Sequence, residues 1–171
     1  MEYLREIPHL EILVDTVALD SVVLLALDFL LSKSNCDTRD KAFVSNLFYG
    51  VIERKLTIDY QISKYLSKPL KKLKPEVLVI LRLGAYQLFF SNKVPVSAAV
   101  NESVSLAKKN GCAFASGLVN AVLRKCSTNG LILPEKDNYA EYLSVKYSCP
   151  EWLCEKWLNE YGEEDTIGIL T

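Results

Sequence analysis

The stretch from Pro75 to Phe90, PEVLVILRLGAYQLFF, is apolar on almost every side of a helix. Proline suits the first turn of a helix because the N–H groups there have no intrahelical partner. A helix without a polar face must be surrounded by other helices, so this stretch predicts the centre of a helical core. It contains Arg82 and Gln87 and is too short to cross about 30 Å of hydrocarbon. We therefore expect a soluble, all-helical domain and no membrane contact.

Two residues inside this helix need a structural reason. Gly84 costs about 1 kcal/mol relative to alanine in a helix interior, so we expect it to allow a neighbouring helix to approach closely. Arg82 is expected to be buried, and a buried charge without a partner is costly. We favour a structural ion pair for Arg82 over a contact with a ligand.

The sequence on both sides has helical spacing, and no part of it alternates with the period of a strand. We predict helices at 9–19, 22–31, 39–54, 58–66, 98–110, 112–127, 139–148 and 150–162. Thr57 with Asp59, and Ser97, are expected to begin two of these helices, and Gly111 to end one. The residues expected to face the core include Phe43, Leu47, Val51 and Ile52 in the helix at 39–54, and Ala115, Leu118, Ala121 and Val122 in the helix at 112–127. Residues 163–171 look like the start of another helix, so we expect the natural protein to continue.

Basic and acidic residues are concentrated in different parts of the chain, although the net charge is only −1. Residues 46–134 contain thirteen lysines and arginines against four acids, a balance of +9. Residues 1–45 have a balance of −4, and residues 135–171 a balance of −6. A basic middle between acidic ends is typical of a surface that faces a polyanion. The alternative is a chance distribution of solvated lysines.

Five cysteines are present, Cys36, Cys112, Cys126, Cys149 and Cys154, without C-x-x-C spacing. The single histidine, His9, is distant from them in sequence. We expect reduced, mostly buried thiols rather than a disulfide framework or a metal site. The N-terminus carries charged residues before any apolar run, which is not typical of a secretory signal, so we expect a cytoplasmic protein.

The sequence offers little that could support catalysis. No Gly-rich turn for a nucleotide and no HExxH motif is present, and nothing in the spacing brings the carboxylates of Asp59 and Glu102 together. Cys149-Pro150 reverses the Pro-Cys pair of thiolate methyltransferases, and no cofactor fold surrounds it. We expect no catalytic residue and no bound cofactor in this chain.

A binding role has better support, because cationic side chains at helix ends and on polar faces can meet phosphates. The candidate cations are Arg39, Lys41, Arg54, Lys55, Lys64, Lys71, Lys72, Lys93, Lys108, Lys109, Arg124 and Lys125. Interleaved aromatic residues could stack on unpaired bases. We favour core packing for Tyr49 and Phe114, and both roles stay open for Tyr60 and Tyr65. Asn101 and Asn120 either tie helices together or contact base edges, and we favour the structural role.

Five separated segments resemble, in order and spacing, the NusB-like RNA-binding domain: RDKAFVSNLFYGVIERK (39–55), TIDYQI (57–62), LRLGAYQLFF (81–90), KVPVSAAVNESVSLAK (93–108) and GLVNAVLR (117–124). The tail YLSVKYSCPEWLCEKWLNEYG (142–162) resembles the connector that precedes the catalytic domain in the RsmB (Sun or Fmu) family of ribosomal RNA cytosine-5 methyltransferases. Free-standing NusB ends soon after the helix that matches 114–126. The resemblance covers about residues 38–162, and residues 1–37 fit by helix pattern alone.

The resemblance implies two three-helix groups around the long central helix, with short C-terminal helices. It implies a NusB-like RNA-binding domain at 1–130 and a connector at 131–171 to a methyltransferase domain that this chain does not contain. The parent enzyme would use S-adenosylmethionine to methylate carbon 5 of a cytosine in 16S ribosomal RNA. The implied partners are ribosomal RNA, the methyltransferase domain and, as for NusB, a ribosomal protein, but not DNA. The alternative is a protein-interaction or transcription antitermination module of the NusB type.

The family's recurrent polar positions match Arg39, Arg54, Arg82, Asn101, Glu102, Asn120 and Arg124. The resemblance implies framework hydrogen bonds for Arg82, Glu102 and Asn120, and RNA contact for Arg39, Arg54 and Arg124. NusB proteins often bring an arginine-rich N-terminus to RNA, whereas this chain has only Arg5 among several glutamates. We therefore expect the RNA contact in the basic middle of the chain.

Overall fold

The computed structural model describes residues 37–91 and 94–171, which form helices and no strands. The helices predicted at 9–19 and 22–31, and Lys93, lie outside these residues. The described helices are α1 (Thr38–Glu53), α2 (Lys55–Ser63), α3 (Pro75–Phe90), α4 (Val96–Lys109), α5 (Ser116–Asn129), α6 (Tyr139–Tyr147) and α7 (Glu151–Leu170), with short 3-10 turns at Leu70–Lys72 and Ala113–Ala115. The all-α prediction is confirmed.

Helix α3 has the predicted bounds and lies at the centre of the core. Proline occupies its first turn, and residues on every side of it are buried, including Val79, Ile80, Leu81 and Leu83. Helices α1, α2, α4 and α5 all pack against it. An apolar helix is stable in water only when neighbours cover it in this way, so α3 positions the other four helices.

Two glycines allow helices to approach α3 closely. A Cβ atom placed on Gly84 would lie 2.6 Å from both the Leu123 Cδ1 atom of α5 and the Ser103 Oγ atom of α4. Gly50 of α1 is covered in the same way by the ring of Tyr86. The close approach that we predicted at Gly84 is confirmed, and a side chain there would displace two helices at once.

Arg82 makes the structural ion pair that we favoured. Its Nε and Nη2 atoms donate to the two carboxylate oxygens of Asp59, each at 2.7 Å. The arginine is 7% exposed. A planar guanidinium and a carboxylate match in this paired geometry, which joins α3 to α2. Asp59 therefore acts in the framework.

Several predicted core positions and helix starts are wrong by part of a turn. Ile52 is 42% exposed and Leu118 37% exposed, and Ala121 is also exposed. The buried face of α1 includes Val44, Leu47, Phe48 and Val51, and Ile52 lies at the edge of this face, about 40° from Phe48 and about 100° from Val51. Leu118 lies one turn before the buried Val122 on the same side of α5, but it stands in the first turn of the helix and stays exposed.

The predicted helix starts at Thr57 with Asp59 and at Ser97 are also wrong. Helix α2 begins at Lys55, directly after Arg54 ends α1, and both predicted starting residues point into tertiary contacts instead. Helix α4 begins at Val96, after Pro95, without a side-chain cap. Gly111 follows this helix with φ +69°, a left-handed conformation that glycine adopts without strain.

The segment after α5 is fastened to α2 by side chains. Gln61 is fully buried, donates to the Ile132 carbonyl at 2.6 Å and accepts from the Ile132 N–H at 2.9 Å. The Thr57 hydroxyl donates to the Val145 carbonyl of α6 at 2.6 Å. Helix α7 packs on α6 and is interrupted at Gly162, where φ is +76° and the predicted helix end falls. The residues after Gly162 are helical as far as Leu170.

Candidate nucleic-acid interface

The connection between α2 and α3 presents a row of lysines to solvent. Leu70 and Leu73 pack against the core on either side of the short 3-10 turn. The Leu73 N–H donates to the Leu70 carbonyl at 2.9 Å, and Pro69 and Pro75 restrict the backbone at both ends. Because the leucines point inward, the lysines between and beside them point outward. These exposed lysines are Lys68, Lys71, Lys72 and Lys74.

Phe114 is held outward by the turn that precedes α5. Its neighbours Cys112 and Ala115 are buried, and the Ala115 N–H donates to the Cys112 carbonyl at 2.8 Å. This turn leaves the Phe114 ring 69% exposed. The Lys74 ammonium lies 5.0 Å from the ring centroid, a cation–π distance. The connection between α2 and α3 thus meets the turn before α5 where the Lys74 ammonium faces the Phe114 ring.

A groove of about 320 Å³ lies where these two segments meet. Its lining includes the apolar side chains of Leu73, Val77, Phe114 and Leu118. Lys68, Lys72 and Lys74 also line it, and no carboxylate does. A lining of apolar side chains and lysines suits a ligand that combines a flat apolar part with negative charge. We call these residues the Phe114 groove.

The N-terminal ends of two helices border the Phe114 groove. Helix α3 begins after Lys74 and helix α5 begins after Ala115, and neither start has a side-chain cap. Helix N-termini carry partial positive charge, but Glu76 in the first turn of α3 offsets it there, so the positive charge of the groove comes mainly from the three lysines. The electrostatic field of the groove therefore favours an anion.

A second cationic and aromatic cluster lies toward the other end of α5, which packs against α2. The Lys125 ammonium lies 6.0 Å from the ring centroid of Tyr65, and the Tyr65 hydroxyl accepts from the Asn129 side chain at 2.8 Å. On α2, the Lys64 ammonium lies 4.4 Å from the ring centroid of Tyr60. We call this cluster, together with the Phe114 groove, the α2–α5 face.

The predicted cations do not all lie on this face. Lys64, Lys71, Lys72 and Lys125 belong to it or to its lysine row, and Arg124 is their exposed neighbour on α5. Arg39 and Lys41 lie in the first turn of α1, and Arg54 and Lys55 lie at the opposite end of α2 from Lys64. Lys108 and Lys109 do not line the Phe114 groove but lie in the last turn of α4, a helix that contacts the turn carrying Phe114.

Two of the predicted arginines already have side-chain partners. The Arg54 guanidinium lies 3.1 Å from the Glu53 carboxylate and 5.6 Å from the ring centroid of Phe90. Arg124 donates to the Asn120 side chain at 3.0 Å within α5, so Asn120 makes a structural hydrogen bond. Asn101 is exposed and Glu102 half-buried on α4, and their framework roles stay predictions.

The core packing that we favoured for Tyr49 and Phe114 is wrong, since both rings are exposed, Tyr49 at 38%. Tyr60 is half-buried, and Tyr65 packs partly against the core. Lys68 and Lys74 were absent from the predicted interface, although the leucine spacing in KPLKKLK could have indicated that the lysines point outward together. The exposure of Phe114 had no comparable signal in the sequence.

Two of the cysteines that the structure describes, Cys126 and Cys154, are not suited to act as nucleophiles. Burial raises the pKa of the Cys126 thiol to about 11. Burial, and then a hydrogen bond with Cys149, raise the pKa of the Cys154 thiol to about 12. Since the thiolate is the reactive form, both side chains stay protonated and unreactive near neutral pH.

Metal ligands and membrane spans can be assessed for residues 37–91 and 94–171. In this part of the chain, no group of three or more His, Cys, Asp or Glu side chains could hold a metal ion. Within the same residues, no helix has the length and apolar character needed to cross a membrane.

The fold and the α2–α5 face define a helical domain wound around one buried helix, with lysines beside the exposed Phe114 ring and two tyrosines on that face. The chain belongs to the NusB family, whose model matches residues 9–128. It is 35% identical over 153 residues to a probable ribosomal RNA small subunit methyltransferase B from Synechocystis, an alignment that covers 88% of this chain. It is 37% identical over 139 residues to the ribosomal RNA small subunit methyltransferase B of Thermus thermophilus, which covers 81% of this chain.

A free-standing relative matches a shorter part of the chain. The transcription antitermination protein NusB of Shewanella oneidensis is 36% identical over 95 residues, which is 56% of this chain and 71% of that protein. The chain spans about a third of the length of the two methyltransferases, 34% and 31%. The 153-residue alignment must extend beyond residue 128, so the segment after the NusB match is also shared with a methyltransferase relative.

Proposed function

We propose that this chain is the RNA-binding module of a small-subunit ribosomal RNA methyltransferase, which docks the RNA for a separate catalytic domain. The observation that carries this proposal is the α2–α5 face, where lysines contact the exposed Phe114 ring and the half-buried rings of Tyr60 and Tyr65, in a relative of ribosomal RNA methyltransferases. Lysines that neutralise phosphates release counterions, and aromatic rings stack on unpaired bases. The combination supports RNA as the partner more than a protein or a lipid surface.

In this proposal, the catalytic domain supplies the chemistry. That domain would bind S-adenosylmethionine and methylate carbon 5 of a cytosine in 16S ribosomal RNA, in the cytoplasm where ribosomes are made. The NusB module would raise the local concentration of RNA beside it, because tethered sites bind as if at high effective concentration. The role of this chain is therefore to bind the RNA and to place it beside the catalytic domain.

The salt dependence of RNA binding tests the proposal. The chain should bind structured ribosomal RNA fragments weakly at low salt, with an affinity that falls steeply as salt rises. Reversal of two lysines, Lys71→Glu with Lys72→Glu, should lower the affinity and flatten the salt slope by roughly 0.7 to 0.9 per lost phosphate contact. A filter-binding or anisotropy titration at two salt concentrations measures both quantities.

The matched control is Lys136→Glu with Lys156→Glu, which makes the same change in net charge after α5, away from the lysine row. This variant should keep most of the RNA affinity. Absence of RNA binding by the wild-type chain even at low salt would contradict the proposal. Equal losses in both variants would show that only net charge matters and that the α2–α5 face is not the site.

A second candidate function is protein docking, which the surface of α7 favours. Trp152, Tyr161 and Ile169 are exposed on this helix, Trp152 at 66%. Large exposed apolar side chains are typical of interaction sites. The partner would be the methyltransferase domain or, if the chain acts like the antitermination relatives, a ribosomal protein. Charge reversal at Lys71 and Lys72 should leave such docking intact, whereas Trp152→Ala should weaken it.

A further inference from the structure

We propose that the Phe114 groove binds one unpaired nucleotide of single-stranded RNA, with its base stacked on the Phe114 ring and its phosphates held by the three lysines of the groove. This inference rests on the proposed function and adds to it the kind of RNA segment that is bound and the place where it binds. It also gives the exposed phenylalanine a role that core packing does not provide.

The exposure of Phe114 is the first reason. A phenylalanine that is 69% exposed contributes little to the core, although the flanking Cys112 and Ala115 are buried. The 3-10 turn at Ala113–Ala115 fixes the ring outward, so its position does not result from a loose chain end. Lys74 contacts the ring but cannot cover a side chain with this exposure. The open ring surface is available for a planar partner.

Charge is the second reason. A nucleobase presents a flat π-face, and the adjacent phosphates are anionic. Lys68, Lys72 and Lys74 line the same groove, which has no carboxylate in its lining to repel a phosphate. The N-terminal end of α5, which has no acidic residue in its first turn, adds partial positive charge at the border, whereas Glu76 offsets that of α3. Both halves of a nucleotide therefore find a complementary surface within one groove.

Size is the third reason, and it selects unpaired RNA. A volume of about 320 Å³ is near the lower limit of small-molecule sites and admits a single base. The bases of a double helix are stacked and paired, so they cannot reach the Phe114 ring. A duplex can meet only the lysines of the groove. The groove thus predicts tighter binding of single-stranded RNA than of duplex RNA, a preference that electrostatics alone would not give.

The test compares a short unstructured single-stranded RNA with the same strand in a perfect duplex, in anisotropy titrations at low salt. Phe114→Ala should weaken binding of the single strand by roughly 5- to 100-fold, the usual loss for one stacked base, and leave duplex binding unchanged. Phe114→Trp should retain single-strand affinity because the indole also stacks. Lys72→Glu with Lys74→Glu should weaken binding of both RNAs.

Tyr49→Ala is the control, since it removes an exposed aromatic ring from α1, outside the α2–α5 face. It should change neither affinity. Circular dichroism of each variant checks that it is folded. Removal of an exposed ring should not alter the fold.

The outcomes separate this inference from the function on which it rests. If the wild-type chain binds neither RNA, the proposed function fails and the inference with it. If the wild-type chain binds RNA but Phe114→Ala binds the single strand as tightly, the function stands and the inference is overturned. Equal losses on the single strand and the duplex would also overturn it, because stacking requires an unpaired base.

Discussion

At the scale of single residues, the closest helix contacts depend on the absence of side-chain atoms. Gly84 lies where α4 and α5 both meet α3, and a methyl group there would overlap Leu123 and Ser103. A Cβ atom placed on Gly117, near the start of α5, would meet no neighbouring atom within 4 Å, and φ at this residue is not positive. Alanine at Gly84 therefore tests the close packing of helices, whereas alanine at Gly117 tests helix propensity alone.

We predict opposite effects of alanine at these two positions. Gly84→Ala should lower the free energy of unfolding by about 1–3 kcal/mol, because overpacking outweighs the gain of about 1 kcal/mol in helix propensity. Gly117→Ala should raise it, by up to about 1 kcal/mol. Urea unfolding followed by circular dichroism measures both values. A stabilised Gly84→Ala variant would contradict the close helix contact.

The ion pair between Arg82 and Asp59 gives a second prediction. Asp59→Ala leaves a buried guanidinium without its carboxylate, so the free energy of unfolding should fall by about 3–5 kcal/mol. Glu160→Ala removes the exposed carboxylate that lies 3.8 Å from the Lys156 ammonium and should cost less than about 0.5 kcal/mol. Thermal and urea unfolding of the two variants provide the comparison. A similar small loss in both would show that Arg82 is solvated.

At the scale of elements, α2 serves as the attachment point for everything that follows α5. Gln61 makes two hydrogen bonds with the Ile132 backbone, and Thr57 makes one with α6. A buried backbone group that loses its partner costs about 1–3 kcal/mol. The helices after residue 130 are thus held by a few directed bonds as well as by apolar contact.

We predict that Gln61→Leu loosens this attachment without unfolding the core. Amide hydrogen exchange in residues 131–147 should accelerate roughly 5- to 30-fold, while exchange in α3 stays slow. Ser63→Ala on the same helix removes only a hydroxyl that donates to the Tyr60 carbonyl at 2.7 Å, so it should leave exchange unchanged. Uniform acceleration throughout the chain would contradict a local role for Gln61.

The elements also show what the sequence could and could not predict. The bounds of α3 were predictable because an all-round apolar stretch that begins at proline admits few other structures. The face that α5 buries was not, since the neighbours Ala121 and Val122 are both apolar and only the packing against α3 and α4 decides which one is covered. The exposure of Phe114 was not predictable either, because it depends on which residues of the turn point inward.

At the scale of the whole molecule, a buried apolar helix supports a cationic surface. Helix α3 fixes the positions of α2 and α5, and their packing brings groups that are far apart in sequence together, such as the Lys125 ammonium and the Tyr65 ring at 6.0 Å. Arg54, at the other end of α2, pairs instead with Glu53 and the ring of Phe90. The basic middle of the chain thus contains the α2–α5 face and other cations outside it.

The most direct test of this account is an NMR titration of the chain with short single-stranded RNA, read from the amide chemical shifts. We predict that the largest changes fall in residues 60–74 and 113–129, which include the α2–α5 face. Changes centred on the first turn of α1 or on α6 and α7, with residues 60–74 unaffected, would contradict the central claim.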